Sequence, residues 1–153
     1  MEYIEAHRDE EDGTCVFCAL LGSGGEADRV LERRAFAFVT LAKYPYNPGH
    51  LLILPTRHVA DIEDLADDEG VEVNALLRKS VRVLRERAGP EGFNVGLNLG
   101  RPAGAGIPEH LHWHVVPRWG GDTNFMPVVA GTRVLPELLE QTYEKLAPGF
   151  GSA

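Results

Sequence analysis

The chain has 153 residues, a length that holds one domain with one sizeable core, and its 44% apolar and 25% charged residues exclude a disordered or collagen-like chain. Fifteen Lys plus Arg stand against 23 Asp plus Glu, a formal charge of −8. That balance works against wrapping duplex nucleic acid or lying on an anionic membrane, but leaves one small anionic ligand open.

The first dozen residues carry six acids, among them Asp9, Glu10, Glu11 and Asp12, and few apolar anchors. Residues 1–13, with His7, therefore read as a solvated acidic arm. An acidic start is the opposite of a secretory n-region, and no run approaches the roughly 20 apolar residues that span a bilayer, so the expected location is the cytoplasm. Cys15 and Cys18 stand as Cys-Val-Phe-Cys, too few and too close for a disulfide framework; a half metal site, a redox pair and two buried thiols are the readings.

Ala19-Leu20-Leu21 then runs into Gly22-Ser23-Gly24-Gly25, a flexible break. Residues 30–39 read as a hairpin around a charged turn. Tyr44-Pro45-Tyr46-Asn47-Pro48-Gly49 is a turn cluster, and the apolar run 51–54 is a buried strand that Pro55 stops. From 67 to 88 the apolar positions Val73, Leu77, Val81, Leu84 and Ala88 recur three or four apart, with acids in the first turn and arginines in the last. This predicts one amphipathic helix, ended by Gly89-Pro90. Residues 93–99 read as a strand, 100–108 as a glycine-rich loop, 110–117 as a strand, and 119–124 as a polar loop. A last helix is expected over 135–146, where Pro136 suits an early position. No internal repeat or low-complexity segment occurs. The pattern predicts an α+β domain over residues 14–147, an antiparallel sheet with one inserted and one terminal helix, followed by a tail at 148–153.

The chemistry lies in His110-Leu111-His112-Trp113-His114. Side chains alternate along a strand, so the three imidazoles share one face and Leu111, Trp113 and Val115 the other. Half of the six histidines fall in this register. Such a row can hold a metal, or can handle phosphate with one neutral imidazole as nucleophile and its neighbours stabilising charge. The preceding loop has Gly100, Gly104 and Gly106, which let backbone N–H groups face an anion, and Asn98 offers an amide beside it; that favours phosphate. Arg101 and Arg118 flank the row and are the candidate cations, whereas Arg57 and the arginines of 78–87 read as solvated charges.

His110-Leu111-His112-Trp113-His114-Val115-Val116 resembles the signature of the histidine triad (HIT) family, His-x-His-x-His followed by two apolar residues. Asn47-Pro48-Gly49-His50-Leu51-Leu52-Ile53-Leu54-Pro55 and Gly92-Phe93-Asn94-Val95-Gly96 are similar to further family strands. The stretch Pro117-Arg118-Trp119-Gly120-Gly121-Asp122-Thr123-Asn124-Phe125-Met126 resembles the fragile-histidine-triad branch and its bacterial relatives, which cleave diadenosine polyphosphates by hydrolysis or phosphorolysis. The resemblance implies a five-stranded antiparallel sheet with helices, a homodimer, and a two-step reaction. His112 attacks the α-phosphorus and forms a nucleotidyl-histidine, which water or phosphate releases. His114 bonds a non-bridging oxygen or protonates the leaving group, and His110 completes the catalytic triad. Asn98 and the N–H groups from Gly104 through Gly106 to Ile107 hold the phosphates, with Arg118 beside them.

The same likeness implies a structural zinc held by Cys15, Cys18, His58 and His110, with His50 as the competing fourth ligand. In that case His112 and His114 carry the chemistry alone. Two features depart from the family pattern: Ala42 stands where an Asn or Asp commonly holds the ribose, and Ala105-Gly106-Ile107 offers the phosphate backbone only. A nucleoside phosphoramidase, a nucleotidyl transferase and a zinc-stabilised nucleotide-binding module with little catalysis remain the alternative expectations.

Overall fold

The computed structural model describes residues 15–22, 29–122 and 137–151. The acidic arm with His7, the break at Ser23-Gly24-Gly25, Thr123 to Met126 and Pro136 lie outside them. The elements in chain order are α1 (Val16–Gly22), β1 (Val30–Arg33), β2 (Ala37–Leu41), β3 (Leu51–Pro55), α2 (Asp67–Ala88), β4 (Gly92–Leu97), β5 (Trp113–Arg118) and α3 (Leu139–Phe150), with single 3-10 turns at Ile62–Asp64 and Arg101–Ala103. The five strands form one antiparallel sheet in the order β1-β2-β3-β5-β4.

Helix α2 follows the predicted bounds because both ends are specified locally. Ala66, at the N-cap, has no side-chain acceptor, and the Glu69 carboxylate instead takes the Ala66 N–H at 2.8 Å. The same carboxylate is gripped by Arg57 at 2.9 and 2.7 Å, so Arg57 is paired rather than simply solvated, and the guanidinium holds the Glu69 carboxyl below its ordinary value. At the other end Gly89 adopts the left-handed conformation, φ 59°, and its N–H returns to Leu84.

The two faces of the sheet have different coverings. On one, Val39, Leu51, Ile53 and Val115 pack against Val73, Leu76, Val83 and Leu84 of α2 and Leu146 and Phe150 of α3. Each such side chain contributes about 1.5–3 kcal/mol of burial. On the other, Phe38, Leu52 and Leu54 meet Phe17 of α1, Val30 and Ala42, leaving the β5–β4 half of that face for the histidines.

Four limits differ from expectation. Sheet pairing in β5 starts at Trp113, opposite Ile53 and Leu97, because both neighbouring ladders end there; His110, Leu111 and His112 precede the paired strand, with the Leu111 N–H donating to the Val59 carbonyl. Strand β4 correspondingly stops at Leu97 rather than residue 99. Pro55 is the last paired residue of β3, opposite Ala37, rather than the stop before it. Helix α3 begins at Leu139, with Gln141 accepting the Leu138 N–H, and continues through Pro148 to Phe150, because Leu146 and Phe150 both anchor it to α2 and the sheet.

Candidate active site

The alternation read from the sequence holds across the end of the sheet: Leu111, Trp113 and Val115 enter the large core, while the three histidines turn to the opposite face. His110 is fully buried and His112 nearly so. Burial holds both imidazoles below their ordinary value, and burial followed by repulsion from His112 pushes His114 down to about 4. All three are therefore neutral near pH 7, so their hydrogen bonds define tautomers.

His112 Nδ1 lies 2.8 Å from the His110 carbonyl oxygen. A carbonyl only accepts, so Nδ1 carries the proton and Nε2 carries the lone pair. This is the tautomer a nucleophile requires. His114 is set by a longer chain. The Tyr46 backbone N–H donates to His50 Nδ1 at 3.1 Å, which leaves the proton of His50 on Nε2, and that N–H donates to His114 Nδ1 at 2.9 Å. His114 is thereby left with a protonated Nε2, a donor. Tyr46 also stacks on His50, with ring centroids 5.0 Å apart.

His50, weighed in the sequence only as a metal ligand, is thus a member of this relay. Strand parity was the available signal, because His50 falls in the His50-Leu52-Leu54 row that the register sets on the histidine face. Its position depends on Gly49, whose φ of +82° suits glycine and whose missing Cβ would come 3.0 Å from Leu84 Cδ2.

A cavity of about 480 Å³ opens beside His114, lined among others by Tyr46, Asn47, Asn94, Asn98 and Arg118. It exists because Gly96 pairs directly with His114 and carries no side chain; a Cβ there would meet nothing within 4 Å. Tyr46, Asn47 and Asn94 were not singled out as site residues in the sequence, and the β4–β5 register was needed to set Asn94 opposite Val116 and beside Arg118. The Arg118 guanidinium donates to both Asp122 oxygens at 2.6 and 2.7 Å and to Asn94 Oδ1 at 2.6 Å, so its charge is already compensated. Asp122 in turn accepts from Asn47 at 2.8 Å. Arg101 lies exposed in the 3-10 turn.

Asn98 meets the glycine-rich loop: a Cβ on Gly104, whose φ is +96°, would sit 3.5 Å from Asn98 Nδ2. The N–H groups of Gly104 and Ala105 donate within the loop, to Arg101 and Gly100. Gly106 and Ile107 make no such backbone bond among the described residues. Ile107 packs on the smaller core, beside Ala42 and Leu52.

The ligand atoms of Cys15, Cys18, His58 and His110 lie within 4.8 Å of one another, a cluster able to hold a metal ion. His110 Nδ1 is 3.4 Å from Cys15 Sγ and 3.6 Å from Cys18 Sγ, and His58 Nδ1 is 3.4 Å from Cys18 Sγ. A tetrahedron built with ordinary zinc–sulfur and zinc–nitrogen bonds has sulfur–nitrogen edges of about 3.6 Å, so the four residues fit such an ion. His110 Nε2 donates to the Pro55 carbonyl at 3.0 Å, aiming the Nδ1 lone pair into the cage. Burial, then the neighbouring Cys15, pushes the Cys18 thiol up, the penalty that a bound cation removes. His50 lies with His114 and Tyr46 instead.

Comparison with known proteins agrees with this geometry. An AP-4-A phosphorylase of Mycobacterium tuberculosis is 49% identical over 122 residues, which are 80% of this chain and 63% of that protein; the chain thus spans under two thirds of that relative. An uncharacterised HIT-like protein of Methanocaldococcus jannaschii is 34% identical over 71% of this chain and 81% of its own length. A zinc-bound histidine triad family protein from Mycobacterium smegmatis shares the fold, with a TM-score of 0.71 and 24% identity over 90% of this chain and 93% of its own. The HIT domain itself matches residues 26–121, and with the triad, the five-stranded sheet and these relatives the chain belongs to the HIT domain family.

Proposed function

We propose that this protein is an enzyme that cleaves dinucleoside polyphosphates, such as diadenosine tetraphosphate, at the α-phosphorus. The observation that carries the reading is the His112 Nδ1–H bond to the His110 carbonyl, which leaves Nε2 as a buried, neutral nucleophile. The name of the 49% identical relative supports the substrate class.

In the first step the Nε2 lone pair attacks the phosphorus, a nitrogen–phosphorus bond forms, and the bond to the bridging oxygen breaks with its electron pair leaving on the departing nucleotide. The His114 Nε2–H bonds a non-bridging oxygen or passes its proton to the leaving oxygen. Water or phosphate then attacks the nucleotidyl-His112 and restores the free imidazole. Asn98, Gly104, Gly106 and Ile107 hold the phosphate chain. Within that loop Gly106 and Ile107 supply the N–H donors and Gly104 the room for the Asn98 amide. Arg118, tied to Asp122 and Asn94, borders the far side of the cavity.

The cage of Cys15, Cys18, His58 and His110 is assigned to a structural zinc, which would cross-link α1 to the sheet end. Two free thiols in such a cage need a reducing compartment, in keeping with the cytoplasm. No described helix is long and apolar enough to cross a membrane. The outer edge of β4 pairs with no described strand and presents half-exposed Val95; we assign it to the second copy of a homodimer.

The test is incubation with diadenosine tetraphosphate, with and without inorganic phosphate. ADP with ATP indicates phosphorolysis, and AMP with ATP indicates hydrolysis. Mass spectrometry of a quenched reaction should find the nucleotidyl group on the peptide carrying His112, and His112→Ala should fold yet lose turnover. Normal turnover by that variant defeats the reading.

A further inference from the structure

The metal cage and the nucleophile share one residue. His110 points its side chain into the cage, while its own main-chain carbonyl takes the Nδ1–H of His112. A second link runs through Phe17, which lies between the two cysteine ligands. Its buried ring stands edge-on to His110, centroids 5.6 Å apart, and tilted against His112 at 5.1 Å. Among the described residues a further ring neighbour of His112 is His114, at 5.0 Å. Phe17 thus supplies one ring contact of the nucleophile and His110 the carbonyl that takes its Nδ1–H.

Helix α1 is only seven residues long, with no acidic residue in its first turn and no basic residue in its last. A helix this short does not hold itself in water. Its C-terminal end is held by Arg33, which donates to the Leu20 and Leu21 carbonyls, and its apolar side by Phe17, Val16, Leu20 and Leu21 on the smaller core; its N-terminal end is held by the two cysteines that reach His58 and His110.

We propose that Phe17 and the His110 carbonyl are positioning groups that report the occupancy of the cage to the nucleophile. With a metal bound, Phe17 is clamped on the His112 ring and the Nδ1–H tautomer is enforced. Without one, the cysteine-bearing start of α1 loosens, the His110 ring is left with its bond to the Pro55 carbonyl, and His112 samples the other tautomer and other ring orientations. The metal then acts on the reaction rate through alignment, with no part in bond making. The inference rests on the metal reading of the four-residue cage.

The experiment compares the full chain loaded with one equivalent of Zn2+ with the chelated chain, at one fixed pH and without substrate. In histidine labelled with nitrogen-15, the His112 ring should give the single Nδ1–H pattern when zinc is bound and a mixture after chelation. With diadenosine tetraphosphate, chelation should lower kcat on the order of tenfold to a hundredfold, with KM nearly constant. Phe17→Leu, carrying its zinc as measured by elemental analysis, should give an intermediate ring pattern and a kcat lowered several-fold. A chelated chain that stays folded by circular dichroism and keeps the single His112 pattern overturns the proposal, as does a chain that takes up no zinc. Where chelation unfolds the chain, zinc-loaded Phe17→Leu decides, and an unchanged ring spectrum overturns it. The ring spectra need no substrate, so failure of the phosphoanhydride reading leaves them interpretable.

Discussion

His50 Nε2 and His114 Nδ1 lie 2.9 Å apart, and the Tyr46 backbone N–H on the far side of His50 decides which of the two donates. The direction of this bond leaves His114 with a donor nitrogen for the reaction, while His112 is left with an acceptor. Two neutral imidazoles of the same row are thus given opposite roles by backbone groups.

Removing the relay should reverse that assignment. His50→Ala is expected to lower kcat on the order of a hundredfold, because His114 loses the partner that fixes its proton. It should also destabilise the fold by about 0.5–1.5 kcal/mol, since the Tyr46 N–H loses its acceptor. His50→Gln, which can still donate to His114, should recover much of the rate. Steady-state kinetics and urea unfolding of both variants are the measurement, and equal rates for the two would refute the relay.

Part of the pH dependence follows from His114, held at about 4 against an ordinary 6.5, beside His110 and His112, which burial also holds down. Below pH 6.5 the unfolded chain takes up this proton while the folded chain resists, so stability falls as pH drops from 6.5 toward 4 and then levels off. Urea midpoints at pH 7.5, 5.5 and 4.5 should decline in that order. His114→Gln should show a shallower decline over the same window; an identical slope would remove His114 as its source.

Gly96 can be tested by filling the space it leaves. Gly96→Val puts a β-branched residue on a strand, where a Cβ meets nothing within 4 Å, so the fold and thermal midpoint should hold or improve. The new side chain projects beside His114, and turnover of diadenosine tetraphosphate should fall at least tenfold through KM. A fully active variant would mean that substrate does not enter over this strand.

Gly149→Ala tests the packing of α3 on α2. The added methyl would sit 2.6 Å from Val83 Cγ1, and Val83 is buried with no room to retreat. Overpacking costs about 1–3 kcal/mol, against about 0.5–1 kcal/mol gained by alanine within a helix. The thermal midpoint should fall by a few degrees. Adding Val83→Ala should compensate, a coupling that a double-mutant cycle measures.

How far the sequence reaches depends on whether the determining residues are local. Helix α2 was legible to the residue because its periodicity, acidic first turn and Gly89-Pro90 stop all lie in one stretch. The set Cys15, Cys18, His58 and His110 was named through the family resemblance alone, since no local spacing joins His58 and His110 to the cysteine pair, and the structure brings the four together. Helix α1 was not legible, since it is too short to be specified by propensity and is held from outside by Phe17, by the two cysteines and by Arg33 on its last carbonyls. The start of β5 was also hidden, being set by where β3 and β4 stop pairing, at Ile53 and Leu97. Asn94 was within reach of strand parity, which sets it in one row with Gly96 and Asn98, but its place opposite Val116 and beside Arg118 comes from cross-strand register.

The division of the sheet into a helix-covered face and a reactive face also makes the protein separable by mutation. Residues such as Val73, Leu76 and Leu146 can be repacked in search of heat tolerance without moving an imidazole, because the pleat turns their neighbours Val39, Ile53 and Val115 away from the histidines. Variation on the β5–β4 half of the opposite face meets no such freedom, since the histidines there answer both to the sheet and to the reaction. Directed evolution of this chain therefore has two nearly independent search spaces, divided by the thickness of a single β-sheet.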